Sequence, residues 1–285
     1  MPTSQCDVAV IGYGPTGLTL ASLLGQRGFF ECRLAQTWRK GSALIGEDAA
    51  HTMPPYLGQG ACSGMRDAAN VAWKLDLVLS GKAAPELLDA YEIERKPRVT
   101  NMMKTAVMLG KVANTRNRAV AFVRDLPFRF KLVPPSPPFA AFTGGVVRGD
   151  RSGKAGKALS SVPPQGFVEV DGERRRLDVV GYRFALLARS NPTKSLISDQ
   201  FSFLANLDCR IVTLGDDASA EAIQAVDSDG VYGAYLNEAG SFAMLLRPDT
   251  NLLGVAKSSA ELGPLVEELR IKLHWLRRSS ATLAA

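Results

Sequence analysis

Gly12, Gly14 and Gly17 stand at GxGxxG spacing, directly after the apolar, β-branched run Asp7 to Ile11 and directly before a helical pattern from Pro15 to about Gln26. That context suits a dinucleotide. The first glycine permits the tight turn, the second lets the backbone approach a pyrophosphate, and the third packs helix on strand. With Pro15 opening the helix, free amides and the positive dipole end face the phosphates. An acidic residue about twenty positions on would hold the ribose hydroxyls, and Glu31, nineteen after Gly12, is the candidate. The alternatives are a bare structural turn for the loop and an ordinary exposed glutamate for Glu31. A second stretch, residues 42 to 81, carries Asp48, His51, Pro54, Pro55 and the glycines Gly58, Gly60 and Gly64. A carboxylate at Asp48 can accept sugar hydroxyls, and a helix starting at about Ser63 would favour negative charge at its N-terminus. In isolation Asp48 would read as a helix or turn cap. His51 could serve as a general base because histidine titrates near neutrality, but positioning of the loop is the preferred reading.

The elements that must position these residues follow from periodicity. Met65, Ala68, Ala69, Ala72, Leu75 and Leu79 recur at helical spacing, and Gly81 supplies the stop. Asp67, Asn70, Trp73 and Lys74 on that helix read as capping, packing and surface residues. A further helix starts near Pro85 and breaks at Pro97, and another covers roughly 98 to 121. Residues 134–166, with PPSPP and VPPQG, form a Pro/Gly-rich linker between a first domain, 1–133, and a second, 167–285. In the second domain short strands are expected over Phe184 to Ala188, Arg210 to Leu214, Tyr232 to Leu236, Phe242 to Leu246 and Leu252 to Val255. A closing amphipathic helix carries Leu262, Leu265, Val266, Leu269, Leu273 and Leu276.

Composition excludes several classes. At 285 residues and 46% apolar content the chain can bury a good core, as a soluble globular protein. Cys6, Cys32, Cys62 and Cys209 lack CxxC spacing, and His51 and His274 are the only histidines, so neither a disulfide framework nor a metal site is expected. Reduced thiols point to the cytoplasm. Neither a leader pattern nor the roughly twenty apolar residues of a membrane span is present. The formal charge of +6 is concentrated in Arg95, Lys96, Arg98, Lys104, Lys111, Arg116, Arg118, Arg124, Arg129 and Lys131. That run reads as a solvated helix face, with attraction of an anionic dinucleotide or aromatic acid as the functional alternative. Nucleic acid is not expected, for no aromatic interleaving accompanies the charge.

Asp48, Ala49, Ala50, His51, Pro54, Pro55, Gly58, Gln59, Gly60, Gly64, Asp67, Ala68, Ala69 and Asn70 together resemble the second FAD motif of the FAD-dependent aromatic-ring hydroxylases, in the group of phenol hydroxylase and 3-(3-hydroxyphenyl)propionate hydroxylase. The resemblance implies that Asp48 hydrogen-bonds the ribityl chain of FAD and that amides of Gly60, Ala61 and Cys62 approach the pyrimidine edge of the flavin. Residues from RRRLDVVGYRFALLAR onward, and LLRPD in particular, are similar to the thioredoxin-like C-terminal domain of that family, which lacks the redox cysteine pair. This makes Arg247 and Asp249 structural and suggests homo-oligomerisation through that domain. The implied fold is α/β, a contracted Rossmann-like FAD-binding domain followed by a thioredoxin-like domain. The implied activity is hydroxylation of a phenolic acid with NADH or NADPH and O2.

The chain departs from the family pattern in its middle. After Gly28 it passes almost directly into CRLAQTWRKGSALIGEDAAH, which leaves out most of the ribose-binding strand, the segment covering the pyrophosphate and the sheet that forms the substrate pocket. Glu47 stands where the family usually has glycine. No catalytic residue is nominated, because a protected reaction needs a closed, dry pocket. The alternative function is therefore an inactive, internally deleted relative acting as a flavin-binding or protein-interaction module.

Overall fold

A computed structural model describes residues 32–53, 58–113, 115, 117–130, 142, 144–149, 162–176, 181–215, 217 and 219–276. Gly12, Gly14, Pro15, Gly17, Glu31 and Pro55, with the expected first strand and helix and most of the expected linker, lie outside the described residues. Contacts divide the chain into two compact units, one comprising Met1–Ala68 and Arg98–Pro138, the other Ala69–Pro97 and Phe139–Ala285. Parts of the two long helices thus belong with the C-terminal residues.

In the first unit, β1 (Arg33–Leu34), β2 (Arg39–Lys40), β3 (Ala43–Leu44) and β4 (His51–Thr52) are minimal strands. β1 pairs antiparallel with β4, Leu34 opposite His51, and β2 pairs with β3 across a turn where Gly41 has φ +60°. Helix α1 (Gln59–Leu79) starts earlier than the expected Ser63 and closes at Gly81, which takes the left-handed conformation at φ +67°.

Helix α2 (Asp89–Ala113) runs through Pro97, where a break was expected. Proline costs an interior helix about 3 kcal/mol or more, chiefly through the lost bond and the clash with the residue four positions back. Here that residue, Ile93, is exposed like Pro97 itself, so the freed carbonyl belongs to the solvent side. Buried Tyr91 and Glu94 before the proline, and Val99, Met103 and Ala106 after it, hold the two halves in place. The expected third helix is accordingly split between α2 and α3 (Arg118–Arg129). Asn117 starts α3, its Oδ1 accepting from the amides of Ala119 at 2.9 Å and Val120 at 3.3 Å.

The second unit contains the hairpin β5 (Phe167–Val170) and β6 (Glu173–Arg176), then β7 (Ala185–Ala188), α4 (Ser198–Asn206), β8 (Arg210–Thr213), β9 (Ile223–Gln224), β10 (Val226–Asp227), α5 (Val231–Glu238), β11 (Ala243–Leu246), β12 (Leu252–Ala256) and α6 (Leu262–Lys272). A five-stranded sheet has the order β12-β11-β7-β8-β9; β7 and β8 are parallel, and β11 is antiparallel to both β7 and β12. This β-α-β unit followed by a helix, an antiparallel strand pair and a closing helix is the thioredoxin-like order expected from the sequence.

Burial on both faces of the sheet explains why its strands read as unbroken apolar runs. Leu186, Ala188, Leu245 and Leu253 pack with Phe203 and Leu204 of α4 and with Leu265, Val266 and Leu269 of α6. Ala185, Leu187, Met244 and Leu252 turn to the other face, against Tyr232 and Leu236. Those two residues correct an expectation: Tyr232 to Leu236 is helical, not a strand. Four residues apart on α5, they share one buried face, while Gly230 at φ +67° and the Asp227 carboxylate, accepting from the Gly233 amide at 2.7 Å, set the helix start. The hairpin of β5 and β6 was not foreseen either, although Asp171 and Gly172, both at positive φ, are its turn.

Candidate functional site

Residues 46 to 51 form a short loop whose centre is a single 3-10 turn, Glu47–Ala49, between β3 and β4. The turn points Asp48 outward. Its side chain is exposed, and its carboxylate forms no hydrogen bond or ion pair among the described residues. A cap would have engaged backbone amides, so the capping alternative has no support in the geometry.

What holds the turn is Asp67, two helical turns into α1. Its buried Oδ2 accepts from the Glu47 amide at 3.1 Å and from His51 Nε2 at 2.7 Å. A carboxylate only accepts, which places the shared hydrogen on His51 Nε2. The His51 ring lies 5.4 Å from the buried Trp38 ring, and its Nδ1 has no hydrogen-bond partner among the described residues. His51 is 2% exposed, so it faces no substrate and serves to fix the loop. Hydrogen bonds to a buried carboxylate contribute about 1.5–3 kcal/mol each, enough to pin a loop this short.

Glu47 carries a local cost. Its φ of +50° lies in the left-handed region, which disfavours a residue with Cβ by about 1–2 kcal/mol. Glycine would take that conformation freely. The Glu47 side chain also lies across α1 at Gly64, where an added Cβ would come within 2.7 Å of Glu47 Cγ. A side chain at 64 would therefore push the Glu47 side chain aside.

The opening of α1 supplies the other part of the site. Gly58 has φ +59°, and a Cβ there or at Gly60 would meet nothing within 4 Å, so space lies open above the backbone. Gly60, Ala61 and Cys62 occupy the first turn, whose amides have no intrahelical acceptors and which carries no acidic side chain. A free carboxylate and a helix N-terminus with open approach fit a ligand presenting both hydroxyls and an electron-rich edge, as FAD does. Among the described residues no cluster of three or more His, Cys, Asp or Glu side chains is placed to hold a metal ion.

The second unit holds a different kind of charge cluster. Arg247 reaches Glu94 at 2.9 and 2.8 Å and Asp249 at 3.0 and 2.6 Å, Lys74 reaches Glu94 at 3.0 Å, and Asn70 donates to Glu94 at 2.7 Å. Lys74, Glu94 and Arg247 side chains are fully buried, so Lys74 is no surface residue. Burial alone would raise the Glu94 carboxyl, but Arg247 and Lys74 outweigh it and hold it down at about 2. Burial lowers Lys74 to about 8 against the opposing pull of Glu94. With two cations and two carboxylates, the cluster is balanced and closed to ligands. Its reach across 153 positions of sequence kept it from being foreseen.

Residues 30–106 match the FAD binding domain family and residues 161–272 the HcaD C-terminal domain family. The probable NADH-specific resorcinol 4-hydroxylase of Rhodococcus jostii is 32% identical over 247 residues, covering 84% of this chain and 44% of that protein. The 3-(3-hydroxy-phenyl)propionate/3-hydroxycinnamic acid hydroxylase of Mycobacterium avium is 32% identical over 244 residues, covering 78% and 42%. Among solved structures, the flavin-dependent monooxygenase PieE in complex with FAD and substrate superposes at a TM-score of 0.65 with 19% identity, covering 96% of this chain and 56% of that one. Aklavinone-11 hydroxylase gives a TM-score of 0.58 with 23% identity, over 85% and 45%. The chain therefore shares their fold but spans less than half the length of these curated relatives.

Proposed function

The chain belongs to the FAD-dependent aromatic-ring hydroxylase family, and from that membership we propose that it is an FAD-binding flavoprotein monooxygenase, hydroxylating a phenolic acid with NADH or NADPH and O2. The observation that carries this reading is the outward carboxylate of Asp48, unpaired among the described residues, on a turn clamped by Asp67 to the helix that opens at Gln59. Asp48 accepts hydroxyls of the ribityl chain, while the amides of Gly60, Ala61 and Cys62 face the flavin edge and favour negative charge there. Gly58 and Pro55 shape the loop. Gly12, Gly14, Pro15 and Gly17 hold the pyrophosphate, and Glu31 the adenosine ribose. The oxygen chemistry is what FAD supplies when bound, so the chain's own residues bind, orient and exclude water.

The name of the Rhodococcus relative favours NADH as donor, and that of the Mycobacterium relative a hydroxyphenylpropionate as substrate. We assign three parts, residues 1–133, 134–166 and 167–285, and self-association through the last. We place its action in the cytoplasm; among the described residues no helix is long and apolar enough to cross a membrane. A second reading rests on the shortened span: a chain covering 44% of its relative binds flavin or a protein without turning over.

Flavin content separates these readings. Purified protein should be yellow and release FAD on denaturation, and Asp48→Ala should lose the flavin with its circular dichroism unchanged. Colourless protein that takes up no FAD on titration would overturn the enzyme and the flavin-binding module alike, and leave only a protein-interaction module. NADH oxidation stimulated by 3-(3-hydroxyphenyl)propionate, with hydroxylated product, supports the enzyme; bound FAD without turnover leaves the module.

A further inference from the structure

Within the first unit, β1 and the second half of α2 border a groove of about 500 Å³. Its size falls within the roughly 300–1,000 Å³ span of small-molecule sites. Leu34 on the strand and Met103, Val107 and Val112 on the helix give it an apolar wall. No carboxylate lines it among the described residues. Burial pushes the Cys32 thiol up from its ordinary value, so this residue adds no negative charge.

Lys104 and Lys111 also line this groove. Seven residues apart, they stand two turns from one another on α2, about 10 Å along the axis. Both are exposed, and neither ammonium group has an ion pair or hydrogen bond among the described residues. Other cations of the same basic run are engaged: Lys96 reaches Glu92 at 2.8 Å, and Arg124 reaches Asp125 at 2.7 Å. On α2 the two lysines without a partner among the described residues thus both sit at the apolar hollow, while Arg118 and Arg129, also without one, lie on α3. A second copy of the chain, docked there by a two-fold axis, would bring four like charges together. An apolar body with an anionic head complements what the groove presents.

We propose that this groove binds a fatty carboxylate, the alkyl chain lying on Leu34, Met103, Val107 and Val112 and the carboxylate held by Lys104 and Lys111. Chain length then sets affinity, because each buried methylene strengthens binding roughly fourfold. The head group contributes through charge, so added salt weakens it.

Titration calorimetry on the full chain, with octanoate, decanoate and decanol below their aggregation limits, tests this directly. One decanoate should bind per chain, roughly fifteenfold more tightly than octanoate. The double variant Lys104→Ala, Lys111→Ala should weaken decanoate at least tenfold and leave decanol unchanged. Both lysines are exposed, so the variant should keep the wild-type circular dichroism and melting temperature. Three results would overturn the proposal: no decanoate binding by the folded chain, equal affinity for octanoate and decanoate, or full decanoate affinity in the double variant. A dimer by sedimentation that Met108→Glu dissociates, and that excludes decanoate, would assign the groove to a second copy instead. None of these measurements requires bound flavin, so they stand or fall apart from the flavoprotein reading.

Discussion

The clamp around Asp67 and the cluster around Glu94 both use buried carboxylates, yet they do opposite things with charge. At Glu94 every ionic partner is buried along with it, and two cations balance two carboxylates. At Asp67 one buried carboxylate orders a turn whose neighbouring acid, Asp48, is left exposed and, among the described residues, unpaired. The contrast separates charge paired inside a closed cluster from charge that, on the proposed function, meets FAD. Strain does not follow this division, since Glu47 at φ +50° sits in the one turn and Thr250 at φ +61° beside Asp249 of the other.

The largest effect should come from breaking the closed cluster. Arg247→Ala leaves Glu94 buried with Lys74 as its remaining cation, and truncating one partner of a buried pair costs about 3–5 kcal/mol. An unfolding free energy from urea titration that falls by less than a quarter of this would mean that water enters the cluster. The same carboxylate predicts an acid limb. Because the folded Glu94 value is depressed, its contribution is complete above the ordinary 4.5 and is lost as pH falls toward about 2. Glu94→Gln should flatten that part of the stability profile, measured by urea unfolding between pH 6 and 3.

Asp67→Ala should come next. It strips the acceptor from the Glu47 amide and His51, costs about 1–3 kcal/mol, and loosens Asp48 as well. Comparing chemical unfolding with FAD affinity checks this: if flavin is retained at full affinity, the clamp does not position Asp48. Glu47→Gly is smaller and opposite in sign, a gain of about 1 kcal/mol as the left-handed strain is relieved, read as a higher melting temperature. The smallest change should be Arg183→Ala, which removes an exposed pair with Asp208 and shifts stability by less than about 1 kcal/mol. A larger shift there would show that surface charge, not the buried cluster, stabilises this unit.

Local chemistry was readable where neighbours in sequence are neighbours in space. Gly81 was visible as the stop of α1, and the apolar runs at 185–188, 243–246 and 252–256 announced strands buried on both faces. Tyr232 to Leu236 misled because a short apolar, aromatic run bounded by turn signals fits a strand as well as a piece of buried helix. Asp48 could be named from its motif, but not its exposure.

The sequence by itself determined the family pattern between Asp48 and Asn70, the apolar content of the sheet and the stop of α1 at Gly81, because these depend on spacing within a few turns. Only the tertiary structure decided that Lys74 and Glu94 are buried with Arg247, that Asp67 is the acceptor for Glu47 and His51, and that Lys104 and Lys111 stay without a partner among the described residues. A charge is stabilised or left free by whatever the fold brings within about 4 Å of it, and those partners are distant in the chain.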